Sequence, residues 1–296
     1  MAARLAGAGW PVAVLARGET LRVLRENPLR VTDDGAESAV RLRMVEDPAE
    51  AVPVELALVC AKSFDTAGAA RSLAPSLAPD AVVLSLQNGV DNPRTIAREC
   101  PGARVGGVAV YLGCQRVAPD HVIRRPSRDP ASGRLRDLLA GGGAGAPGAA
   151  LASVAEAIGV PARVDDDAAG ALWTKLVANV ALNTVTALGR ARVGKVLADP
   201  RAVELMLALG EEVVAVARAG GIPVAPDAAR AYVADARRRL PASGGSSTLF
   251  DLEAGRRLER EALVGAVVRE GEHLGVDVPV SRACDALLRL QDPGEG

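Results

Sequence analysis

The sequence predicts an α/β first half built on a parallel sheet, followed by an all-helical second half. Three observations carry that expectation. Short continuous apolar runs at residues 11–16, 55–60 and 81–86 alternate with helical or mixed segments, the pattern of strands buried on both faces of a parallel sheet. Each run ends in polar groups, Arg17, Lys62 after Ala61, and Gln87-Asn88-Gly89, at the carboxyl edge where open α/β sheets bind ligands. From Ala168 onward the apolar spacing is helical almost to the end.

Taken in order, residues 2–8 read as the end of a helix stopped by Gly7 and Gly9. Gly7-Ala8-Gly9 precedes a strand instead of following one, so it is a helix terminus and no phosphate cradle. The strand and glycine turn expected before Ala2 are missing from the sequence. In the strand order 3-2-1-4-5-6 that strand is the central one, so the runs at 11–16 and 55–60 are expected to lack a ladder partner between them. The natural protein is expected to begin upstream.

Residues 104–113 and 120–124 read as strands joined by a turn at Pro119-Asp120, with His121 a strand residue without chemistry. The glycine tract 141–148 reads as a flexible surface loop that holds no phosphate. A helix and strand follow over 149–164. Asp165, Asp166 and Asp167 then supply carboxylates for the next helix N-terminus, which places the domain boundary between 1–165 and 166–296.

In the second half, residues 201–220 and 226–240 read as helices, 241–247 as a polar break, and 248–274 as a resumed helix capped by Ser246 or Ser247. Glu259 falls in that charge-rich helix, whose acidic residues are expected to be mostly solvated.

The bulk properties narrow the function. With 35 basic and 36 acidic residues, the net charge of -1 argues against a nucleic-acid or membrane-surface partner. Aromatic residues make up only 2%, so stacking platforms for bases are scarce. No apolar run approaches the ~20 residues of a membrane span, and no signal peptide is evident. Four scattered cysteines without CxxC spacing, and two histidines, support neither a disulfide framework nor a zinc site. A cytoplasmic protein is expected, and a homodimer is left open.

The chemistry concentrates between Trp173 and Asn183. Lys175, Asn179 and Asn183 are spaced i, i+4, i+8, so they form one stripe along a helix that is otherwise almost wholly apolar. An ammonium buried unpaired costs several kcal/mol, so the stripe faces partners or a wet site, and it reads as the floor of a small-molecule site. Arg17 points to an anionic nucleotide: a basic residue ending the second strand of a dinucleotide fold meets a 2′-phosphate.

Together these residues resemble the ketopantoate reductase (2-dehydropantoate 2-reductase) family. The likeness is carried by Leu15-Ala16-Arg17-Gly18, Cys60-Ala61-Lys62-Ser63-Phe64-Asp65-Thr66 and Leu86-Gln87-Asn88-Gly89. It continues in Trp173-Thr174-Lys175-Leu176 with Asn179 and Asn183, and in Ser246-Ser247-Thr248-Leu249-Phe250-Asp251 with Glu259. The resemblance implies a Rossmann-type domain binding NADPH, without its first strand, and an all-helical domain, with a 2-keto acid reduced in the cleft between them. It implies Lys175 as proton donor and Glu259 as an acidic active-site residue. It further implies Arg17, Lys62 and Asn88 toward the cofactor, and Asn88, Asn179, Asn183 and Ser247 toward the substrate. Thr248 and Leu258 stand where the family usually has methionine and threonine. Two alternatives stay open: a ligand-binding or scaffold homologue that has lost hydride transfer, and a reductase of another branched 2-keto acid.

Overall fold

The computed structural model describes residues 1–126 and 137–294. It divides into two compact units. The first comprises residues 1–60, 66–86 and 93–168, and the second comprises 61–65, 87–92 and 169–296.

The first unit begins with α1 (Ala2–Gly7), β1 (Ala13–Leu15), α2 (Gly18–Glu26), β2 (Leu29–Asp33), β3 (Ala36–Val40) and β4 (Arg43–Val45). It continues through β5 (Val54–Val59), α3 (Thr66–Leu73), β6 (Leu77–Ser85) and α4 (Asn92–Glu99), whose first residue belongs to the second unit. Next come β7 (Arg104–Tyr111), β8 (Cys114–Ala118), β9 (His121–Arg124), β10 (Leu138–Gly142), α5 (Ala146–Ala157) and β11 (Ala162–Asp165). The main sheet has the order β11-β10-β7-β6-β5. Its parallel heart is β5, β6 and β7, with Val83 opposite both Ala57 and Val105.

The continuous apolar character of β6 has a direct cause. Val83 and Leu84 are both fully buried, yet they point to opposite faces because side chains alternate along a strand. Leu84 packs with Leu5, Val108, Leu139, Leu151 and Val154. Val83 packs with Val59, Ala70, Ile96 and Cys100. Each such side chain contributes about 1.5–3 kcal/mol on leaving water.

β1 lies outside this sheet. It pairs in parallel with β4 alone, Ala13 to Leu15 opposite Arg43 to Val45, while β5 pairs only with β6 among the described strands.

Two local expectations are corrected. The turn at Pro119-Asp120 joins β8 to β9, and both belong to a separate four-stranded sheet β3-β2-β9-β8; β7 stays in the main sheet. His121 sits in β9 as expected, with Nε2 2.8 Å from Thr32 Oγ1. Asp165 ends β11 and binds Arg163 at 3.0 Å instead of capping the next helix.

The glycine tract is no surface loop. Gly141 and Gly142 end the buried strand β10, and Gly148 lies inside α5. A Cβ on Gly141 would sit 2.5 Å from Gly107 O, and one on Gly148 would sit 2.7 Å from Val164 Cγ1, so glycine allows strand and helix to close up. Gly143, Gly145 and Gly148 have the spacing of a phosphate-binding turn between strand and helix. Here, however, the Gly143 and Ala144 amides donate to the carbonyls of Asp165 and Asp166, both at 3.1 Å.

The second unit is helical: α6 (Ala168–Leu188), α7 (Val193–Ala198), α8 (Pro200–Ala219), α9 (Ala228–Arg239), α10 (Ser247–Glu253), α11 (Val264–Leu274) and α12 (Pro279–Arg289). α6 is its axis, with Leu176, Val177, Val180 and Ala181 at most 1% exposed. The single helix expected over 248–274 is two helices. Gly255, at φ +62, takes a left-handed conformation that ends α10, and α11 begins only at Val264. Glu259 therefore lies in an irregular connection, where it is 7% exposed and not solvated.

Candidate active site

Three short segments of the second unit carry polar groups of the site beside the stripe of α6. The first is residues 87–92. Gly89 adopts φ +97, and a Cβ there would lie 2.8 Å from Ala262 O, so only glycine permits this approach. The neighbouring Asn88 is thereby fixed, and its backbone carbonyl accepts from Asn92 Nδ2 at 2.7 Å. Asn88 Oδ1 accepts from Lys175 Nζ at 2.9 Å and from Asn179 Nδ2 at 3.4 Å. Further along the stripe, Asn183 Nδ2 donates to Ser247 Oγ at 3.5 Å. All four expected amide and hydroxyl residues are thus brought to one face of α6.

The two serines at the start of α10 divide their duties. Ser246 is the N-cap, accepting from Leu249 N at 3.1 Å, and its hydroxyl lies 2.7 Å from Thr186 Oγ1. Ser247 faces the stripe.

The second segment is residues 61–65, held by Gln87 Nε2, which donates to Ala61 O at 3.0 Å. Lys62 Nζ binds Asp251 Oδ2 at 2.5 Å and Glu259 Oε2 at 3.1 Å. Ser63 N donates to the other Glu259 oxygen at 2.9 Å, so both oxygens of that buried carboxylate are engaged. The third segment is the connection that carries Glu259.

The resemblance implies Glu259 as an acidic active-site residue. Its carboxylate forms an ion pair with Lys62, and its charge also acts on Lys175 through space. The two lysines consequently shift in opposite directions. Burial depresses the Lys175 ammonium to a pKa of about 8, with Glu259 opposing it incompletely. Burial also disfavours charge on Lys62, but Glu259 and Asp251 more than offset it and raise its pKa.

Sequence reasoning assigned no role to Asp251, which is 5% exposed and also binds Arg256 Nε at 2.9 Å. The signal was present: Asp251 follows Ser247 by four residues, one helical turn along the same face.

Arg17 belongs to the first unit. It is exposed at the carboxyl end of β1, in extended conformation at the N-cap of α2. Among the described residues, no cluster of His, Cys, Asp or Glu is arranged to hold a metal ion. No helix of the described residues is long and apolar enough to cross a membrane.

Residues 1–132 match the ketopantoate reductase PanE/ApbA family model, and residues 167–291 match the model of its C-terminal domain. The chain is 35% identical to the 2-dehydropantoate 2-reductase of Halobacterium salinarum over 292 residues, covering 97% of this chain and 92% of that one. It is 31% identical to that of Archaeoglobus fulgidus, with the same coverage of both chains. Among solved structures, a PanE/ApbA family ketopantoate reductase from Ralstonia eutropha JMP134 superposes with a TM-score of 0.87 at 33% identity, covering 99% and 94% of the two chains.

Proposed function

The chain belongs to the ketopantoate reductase (PanE/ApbA) family, and on that premise we propose that it reduces ketopantoate to pantoate with NADPH, a cytoplasmic step of pantothenate synthesis. One observation carries the reading. Lys175 is a half-buried ammonium that donates to the amide oxygen of Asn88, with its pKa lowered to about 8. Such a group is charged at neutral pH yet gives up its proton far more readily than an ordinary lysine.

The residues fit a nicotinamide dinucleotide at its charged end. The exposed guanidinium of Arg17 suits a 2′-phosphate bidentately. The Lys62 ammonium has three donors, of which the two carboxylates account for two, and the remaining direction suits an anionic group of the cofactor. Asn88 faces both cofactor and substrate in this assignment. When bound, the cofactor supplies the hydride.

The chain's own residues do the rest. Lys175 stabilises negative charge on the keto oxygen and then protonates it, while Asn88 keeps the ammonium aimed. Asn179, Asn183 and Ser247 hold the carboxylate and hydroxyl of the acid. Glu259 accepts from a substrate hydroxyl. In this assignment residues 1–165 carry the cofactor and 166–296 the substrate, with 61–65 and 87–92 lent to the second unit. Loss of NADPH absorbance on adding ketopantoate tests the reading. Turnover of another branched 2-keto acid at higher kcat/KM would move the substrate, and no turnover of any 2-keto acid would leave the ligand-binding alternative.

A further inference from the structure

Of the 35 basic residues only three are lysines, Lys62, Lys175 and Lys195; every other cation is arginine. Two of these three occupy the site, so an ammonium is retained there in a chain that otherwise uses guanidinium. The difference is geometric. A guanidinium is a planar fork suited to one carboxylate, whereas an ammonium is a point charge with three diverging donors. Lys62 uses that geometry to bridge two carboxylates from different segments, Asp251 of α10 and Glu259 of the connection before α11.

Both carboxylates are buried, at 5% and 7% exposure. Neither tolerates such burial without a counter-charge. Asp251 is fixed from behind by Arg256, at 2.9 Å, and by its place on α10 one turn after Ser247. The result is a continuous chain of charge, Arg256 to Asp251 to Lys62 to Glu259, ending on the Ser63 amide.

We propose that Asp251 is a positioning residue of the reductase site: it fixes the Lys62 ammonium, and through Lys62 it orients the Glu259 carboxylate. The proposal rests on the reductase reading for its effect on turnover, but not for the effect on Lys62. Without the Asp251 charge, Lys62 is held from one side only. Its ammonium becomes more mobile and loses its proton more easily, and Glu259 is no longer drawn to a fixed point.

The test compares the full chain with its Asp251→Asn variant, a change that removes the charge and keeps the shape. Trace acetylation by acetic anhydride at mildly alkaline pH reports each lysine separately by peptide mass spectrometry, with exposed Lys195 as internal reference. Lys62 should acetylate more slowly than Lys195 in the intact chain. In the variant its rate relative to Lys195 should rise about threefold or more, since a fall of one pKa unit gives about tenfold more free amine. With ketopantoate and NADPH, kcat should fall about tenfold, because Lys62 and Glu259 are no longer held in the arrangement that aligns the reacting groups. A merely structural Asp251 would lower the thermal midpoint and leave both the Lys62 ratio and kcat unmoved, which overturns the proposal, as does a change in only one of the two.

If the intact chain reduces no 2-keto acid, the reductase reading has failed and the acetylation ratio alone decides whether Asp251 holds Lys62. If the variant does not fold, the intact chain decides. A Lys62 acetylation midpoint above that of Lys195 supports the proposal, and one at or below it overturns the proposal.

Discussion

Lys175 and Lys62 lie in the same compact unit and are both half-buried, yet one donates to an amide oxygen and the other bridges two carboxylates. Desolvation acts on both in the same direction. Around Lys175 the through-space pull of Glu259 offsets desolvation only in part, so its pKa falls to about 8. Around Lys62 the same Glu259 is in contact and Asp251 stands beside it, so the pKa rises. A lysine becomes an acid when its neighbours are dipoles, and a fixed structural cation when they are charges.

The sharpest way to break this contrast is to remove the acid. Lys175→Ala should cost about 10²–10⁴-fold in kcat, the usual value of general acid catalysis, with the thermal midpoint little changed. Retention of more than about a tenth of the rate would mean that the proton comes from elsewhere. Arg17 tests a cation outside both environments. Arg17→Ala should weaken NADPH by about 10–100-fold, as expected for charge-assisted bonds to a phosphate worth about 1.5–3 kcal/mol, and NADH much less. Equal losses for the two cofactors would make Arg17 only a polar strand end.

The next experiment turns one environment into the other. For keto-acid reduction, kcat/KM should be level below the Lys175 pKa of about 8 and fall about tenfold per pH unit above it, because the charged form is the acid. Asn88→Asp places a carboxylate where the amide oxygen now touches Nζ at 2.9 Å. An added negative charge raises the pKa, so the alkaline limb should move up by about one unit or more, with a lower plateau because a stronger base is a poorer acid. An unmoved limb would show that the limb does not report Lys175.

The two environments were not equally legible in the sequence. The amide stripe was legible because it depends on helical period alone, and the apolar surroundings forced α6 to be a helix. The strands buried on both faces were legible for the same kind of reason. The carboxylate cluster was not, because it depends on where α10 stops. Gly255 ends that helix one turn beyond Asp251, and the period of residues 248–274 masks the break. Glu259 was therefore read as solvated when it is buried against Lys62. The glycine tract failed similarly: glycine composition suggests flexibility, whereas residues 141–148 need glycine for close backbone approach. The scarcity of lysine, three among 35 cations, was a sequence signal for both environments that spacing rules do not weigh.

The smallest expected effect repeats the contrast between frame and chemistry in two adjacent residues. Ser246 accepts from Leu249 N and lies 2.7 Å from Thr186 Oγ1, whose own proton goes to Leu182 O at 2.7 Å, so Ser246 donates to Thr186. Every one of these groups is buried, and the contact with Asn183 is to its backbone carbonyl, which accepts from Thr186 Oγ1 at 3.2 Å, and not to its side-chain amide. Ser246→Ala removes an N-cap and leaves a helix amide and a threonine oxygen without that partner, costing about 1–2 kcal/mol. For a chain of this size that is a fall of about 2–4 °C per kcal/mol in the thermal midpoint, with kcat/KM within about twofold. Ser247→Ala should do the reverse. Its hydroxyl meets only the long 3.5 Å bond from Asn183, so the midpoint should hold while the KM for the keto acid rises. Loss of activity in Ser246→Ala at unchanged midpoint, or loss of stability in Ser247→Ala at unchanged KM, would exchange the two duties and move the substrate's carboxylate off α10.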